Sequence, residues 1–150
     1  MHVVLKVLEE HEHPIDRLYA QLCAIHEFHR GREARIVFLS QSIAGTSGER
    51  MAAIIDVGNR VFESQRQAAT ERIREGIAAG TVAECDPDAL ISLIRALTDG
   101  LVLQRVMTGI DLAPAQQMLW NNLLGPLKLS AASHPCTPPT INTTQSRPLS

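Results

Sequence analysis

The stretch DPDALISLIRALTDGLVLQRV, residues 86–106, limits the fold more than any other part of the chain. Asp86 is a good helix N-cap, Pro87 suits the first helical position, and Asp88 favours the positive end of a helix. Behind this start, Leu90, Ile91, Leu93, Ile94, Leu97, Leu101, Val102, Leu103 and Val106 cover more than one helical face. A helix that is apolar nearly all round needs burial nearly all round. In a chain of 150 residues that cover comes either from the chain's own helices or from a second copy. Two such helices from each of two chains would make a four-helix interface.

The rest of the chain is punctuated for helices as well. His13-Pro14 opens a helix that runs to about residue 30, with Ile15, Leu18, Leu22 and Ile25 on one side and Gly31 after it. A shorter helix is expected over 33–44, with Ile36, Val37, Leu39 and Ile43 apolar and Gly45 as its stop. Thr46-Ser47-Gly48-Glu49 has the spacing of a capping box. It predicts a long helix over about 47–79, roughly 45 Å in length at the α-helical rise. The stripe of that helix is Met51, Ile55, Phe62, Ala69, Ile73 and Ile77. After the helix over 87–108, Asp111 and Pro114 introduce a last one over about 112–125. The expected fold is an all-α, antiparallel helical bundle, one domain over 11–128. From residue 129 the chain turns Ser-, Thr- and Pro-rich and reads as a disordered tail.

Composition removes several classes of function. Charge is nearly balanced, 14 basic against 16 acidic residues, so no global basic excess marks a nucleic-acid surface. The three cysteines, Cys23, Cys85 and Cys136, are too far apart for a metal knuckle and too few for a disulfide framework. With no signal-peptide pattern and no apolar run of membrane-spanning length, a reducing, cytoplasmic setting is expected. His11/His13 and His26/His29 suggest imidazole pairs, but no third ligand follows from the sequence, and neither metal nor cofactor is expected. Nucleophile elbow, P-loop and dinucleotide motifs are missing, so no catalytic residue is assigned and no enzyme is expected.

Several residues have two readings. Tyr19, Cys23 and His26 share one side of the first helix, either lining an apolar pocket with a few polar groups or packing as core and wet edge. Asn59, Phe62 and Arg66 share a face of the long helix, aimed at a ligand or at water. Gln104 sits in an apolar helix and, if buried, needs a partner in a ligand, the core or a second subunit.

The run REGIAAGTVAECDPDAL followed by ALTDGLVLQ closely resembles the C-terminal regulatory domain of the tetracycline-repressor (TetR) family of bacterial regulators, and helix order agrees over about residues 10–127. The resemblance implies a homodimer that binds a small apolar or amphipathic effector and acts in transcription regulation. It implies pairing through the last two helices, over about 87–125, with Leu93, Ala96, Leu97, Gly100, Leu101, Leu119, Trp120 and Leu123 at the interface. It places the effector among the earlier helices and the inner side of the helix over 87–107, near Tyr19, Cys23, His26, Phe38, Ile55, Asn59, Phe62, Arg66 and Gln104. The family's N-terminal helix-turn-helix has no counterpart here, so residues 1–10 are expected to be a remnant of its linking helix and DNA recognition to need the missing part. The alternative is a helical interaction domain that dimerises without sensing.

Overall fold

The computed structural model describes residues 10–46, 48–129 and 138–139. The expectations for residues 1–9, for Ser47, for Cys136 and for most of the tail lie outside the described residues. Those residues form an all-α bundle: α1 (Pro14–Phe28), α2 (Glu33–Ala44), α3 (Glu49–Ala78), α4 (Pro87–Thr108), α5 (Ala113–Leu119), a π-turn (Trp120–Leu124) and α6 (Gly125–Leu127). Extended pairing among them is limited to one antiparallel bridge, Val82 with Lys128.

Most boundaries follow from local chemistry. His13 caps α1: its Nδ1 accepts the Ile15 N–H at 3.2 Å. That tautomer leaves Nε2–H to donate to the Thr81 carbonyl at 2.9 Å, tying the start of α1 to the loop after α3. Asp86 caps α4 by accepting the Ala89 N–H at 3.0 Å, and Gly109 ends it in the left-handed region at φ 69°.

The start of α3 departs from expectation. Its N-cap is Gly48, at φ 70°, with no side-chain cap bond. Thr46 instead donates its hydroxyl back to the Ser42 carbonyl at 2.6 Å, one turn earlier. A hydroxyl that serves the helix behind it is not free to cap the helix ahead.

The last helix also departs from a plain α-helix over 112–125. It widens into i→i+5 bonding at Trp120–Leu124 and continues through Gly125-Pro126. Pro126 has no N–H, so an α-register bond is missing there whatever the chain does, and a π-turn costs least beside such a gap.

The core gathers Ile15, Leu18 and Leu22 of α1, Ile73 of α3, Leu90, Ile91 and Ile94 of α4, and Trp120 and Leu124. Tyr19 meets Trp120 edge to face, with ring centroids 5.0 Å apart. At one end the chain folds back on itself. Ala83 N–H donates to Leu127 O at 2.8 Å, Leu129 N–H donates to Thr81 O at 2.9 Å, and Lys128 Nζ lies 2.8 Å from Asp16. Of the stripe expected along α3, Ile73 is buried and Ala69 and Ile77 pack on the core, whereas Ile55 and Phe62 remain exposed. The first half of α3 therefore stands clear of this chain's core. Among the described residues, no helix is long and apolar enough to cross a membrane.

Candidate functional site

A cleft of about 490 Å³ opens where α1, the middle of α3 and the first half of α4 meet. The size falls within the usual range for small-molecule sites. Its apolar lining comes from Leu18, Leu22 and Ile25 of α1, Phe62 and Ala69 of α3, and Ile91 and Ile94 of α4. Helical spacing explains the convergence: 18, 22 and 25 share one face of α1, and 62 and 69 share one face of α3.

The rim is polar. Asn59, Glu63 and Arg66 come from α3, Gln21 from α1, and Ser92 and Arg95 from α4. All three guanidinium nitrogens of Arg66 are engaged. Nε and Nη2 reach Glu63 at 2.9 and 2.6 Å, and Nη1 reaches Asp88 at 2.8 Å. The Arg66 and Gln67 hydrogen bonds hold the Glu63 carboxyl down to about 2. Arg95 is placed differently. It donates Nε–H to Asp99 at 2.6 Å and lays its guanidinium 4.0 Å over the centroid of the Phe62 ring.

Of the residues expected at a ligand site, Asn59, Phe62 and Arg66 do share this cleft. The others are elsewhere. Tyr19 and Cys23 are buried in the core, where burial pushes the Cys23 thiol up to about 11 and the tyrosine hydroxyl higher than its usual range. Such a thiol is not a poised nucleophile. Phe38 is 68% exposed on α2, and Ile55 is 53% exposed on the free half of α3. Gln104 is exposed on α4, away from the cleft. Periodicity could not reveal Arg95: its partner Phe62 lies on another helix, 33 positions earlier in the sequence.

His26 joins three helices. It is 1% exposed, with Nε2 at 2.9 Å from the Thr98 carbonyl of α4 and Nδ1 at 2.9 Å from Gln116 Nε2 of α5. A carbonyl can only accept, so the proton sits on Nε2 and Nδ1 accepts from the Gln116 amide. Arg105 closes the joint by donating to the His26 carbonyl at 2.8 Å, and its Nε lies 3.4 Å from Glu33 of α2. Burial lowers the His26 pKa and outweighs the Thr98 hydrogen bond, which raises it; Arg105 and His29 act with burial, and Asp99 against it. As pH falls below the ordinary histidine value of about 6.5, the unfolded chain takes up this proton first, so stability is full above that pH and declines below it. His29 is shifted the same way, more exposed, and adds a smaller share. Urea unfolding at about pH 7.5 and about pH 5.5 is expected to show lower stability in acid, with a shallower slope in His26→Gln; an unchanged slope would remove His26 from the account.

The faces of α4 and α5 sort differently from the expected interface. Leu97 and Leu123 are half-buried and pack on the core, and Leu101 is half-buried. Leu119 is 9% exposed and Trp120 is 0% exposed. The Trp120 ring is used by Tyr19 and the core, so it has no surface to offer a second copy. What stays uncovered is Leu93, Ala96, Gly100, Leu103 and Met107, with Leu93 46%, Leu103 44% and Met107 75% exposed. These positions repeat at intervals of three, four, three and four residues, the heptad spacing of a helix-pairing seam. Leu103 and Met107 were not among the expected interface residues, because only the core-facing side of α4 shows which side is left over. Ala96 belongs to both surfaces: it lines the cleft and sits in the seam.

Among the described residues, no group of three or more His, Cys, Asp and Glu side chains could hold a metal ion. Compared with protein-family models, curated proteins and solved structures, the chain matches none.

Proposed function

We propose that this chain is a small-molecule-binding and self-pairing regulatory domain of the tetracycline-repressor type, taking an apolar or amphipathic ligand. The observation that carries the reading is the double use of α4. One side of its first half walls the cleft through Ile91, Ile94 and Arg95, while an adjoining side carries the uncovered seam, and Ala96 borders both. A ligand that shifts α4 therefore changes the surface available to a second copy. Such coupling needs a ligand that binds the two arrangements with different affinity.

The seam suits a second copy of itself. It is centred on Gly100, with Leu93 and Met107 each seven positions away. In an antiparallel two-fold crossing at Gly100, Leu93 faces Met107 of the second copy and Ala96 faces its Leu103. Leu93 and Met107 make an apolar pair, Ala96 leaves room for Leu103, and the glycine admits close approach at the crossing.

Two variants separate the parts. A Cβ at Gly100 meets nothing within 4 Å, so Gly100→Arg leaves the fold intact and blocks the crossing. It is expected to run as a monomer, with helical circular dichroism unchanged. Asn59→Trp puts an indole at the cleft rim and is expected to weaken binding of the uncharged dye Nile red while leaving the dimer in place. A dimer in Gly100→Arg, or Nile red binding untouched by Asn59→Trp, would sink the corresponding half of the reading.

A further inference from the structure

We propose that the cleft selects an amphipathic acid, its apolar body against Leu22, Ile25 and Ile94 and its carboxylate on the Arg95 guanidinium at the rim. This rests on reading the cleft as a ligand site.

The two arginines at the rim are not equivalent. Arg66 has every guanidinium nitrogen bound to Glu63 or Asp88, so it neutralises those carboxylates and has no fork to present. Arg95 spends only Nε on Asp99. Its plane is fixed by stacking 4.0 Å over Phe62, itself a wall of the cleft. A guanidinium so oriented is preorganised for a planar two-oxygen acceptor, and such bidentate pairs are among the stronger hydrogen-bonded contacts. The Asp99 pair competes weakly, since both side chains are about half exposed to water and exposed ion pairs contribute little.

The rim disfavours an amine. The carboxylate lining the cleft is Glu63, whose oxygens already accept from Arg66 and Gln67. A ligand cation would have to break that set, whereas a ligand anion meets an arginine with donors to spare. Below the rim, the aliphatic walls take up the apolar body without a polar counterpart.

The test is displacement of Nile red by dodecanoate and by dodecyltrimethylammonium, each below its micellar concentration, from wild type and Arg95→Gln. Dodecanoate is expected to displace the dye at least about tenfold more effectively from wild type, and this ratio is expected to fall towards one in Arg95→Gln. If Nile red binds and the two amphiphiles displace it equally, or if the ratio survives Arg95→Gln, the acid assignment is overturned and the cleft remains a ligand site. If Nile red does not bind wild type at all, the cleft reading fails and the acid assignment goes with it.

Discussion

Replacing Trp120 by alanine is expected to remove about 3–5 kcal/mol of stability, the range for truncating a large buried aromatic. In a chain of this length that is a fall in melting temperature of roughly 10 °C. The side chain is 0% exposed and meets the Tyr19 ring edge to face at 5.0 Å. It also stands at the first residue of the π-turn, where α5 passes into the segment that carries Lys128 back to Val82. A cavity at Trp120 therefore loosens both the centre of the bundle and the closure of its end. Trp120→Phe keeps an aromatic partner for Tyr19 and gives up no indole bond, since Nε1 meets no hydrogen-bond partner among the described residues. Its loss is expected to be much the smaller. Thermal unfolding of the two variants measures this directly, and equal losses would show that the aromatic contact carries little.

A second large effect is expected from one glycine, with opposite sign at another. Both Gly58 and Gly76 lie inside α3, where alanine is ordinarily better by roughly 0.5–1 kcal/mol. At Gly58 a Cβ meets nothing within 4 Å, so Gly58→Ala is expected to gain that amount. At Gly76 a Cβ would lie 2.5 Å from Cγ2 of Val82 and 3.4 Å from Cγ of Pro14. Val82 cannot easily retreat: its N–H donates to the Gly76 carbonyl at 3.1 Å, and it pairs with Lys128. Overpacking of this kind costs about 1–3 kcal/mol, which outweighs the gain in helix propensity. Gly76→Ala is expected to be less stable than wild type in urea unfolding and Gly58→Ala more stable. Two gains would mean that the loop after α3 yields where its hydrogen bonds say it is held.

Where structure was legible in the sequence, the cause was local. Asp86-Pro87 and Gly109 bracket α4 because a cap and a left-handed residue act within a few positions of themselves. Asn59, Phe62 and Arg66 could be placed on one face because helical spacing alone puts them there. Thr46 misled because two nearby backbone groups compete for one hydroxyl, and spacing does not say which wins. Trp120 misled for a deeper reason: an apolar residue declares that it will be covered, not by what. The joint at His26 reaches Thr98 and Gln116, 72 and 90 positions along the chain, and no local pattern encodes it. The seam on α4 became visible only once the core had claimed Leu90, Ile91, Ile94 and Val102, leaving Leu93, Ala96, Gly100, Leu103 and Met107 outside.

The measurement that bears most directly on the double use of α4 is the mass of the wild-type chain in solution, by sedimentation equilibrium over a dilution series at micromolar concentration. A species of twice the 16.4 kDa of one chain is expected, giving way to monomer on dilution and absent in Gly100→Arg. A wild-type chain that remains at 16.4 kDa throughout would contradict that double use, leaving the seam uncovered and the cleft without a second copy to act upon.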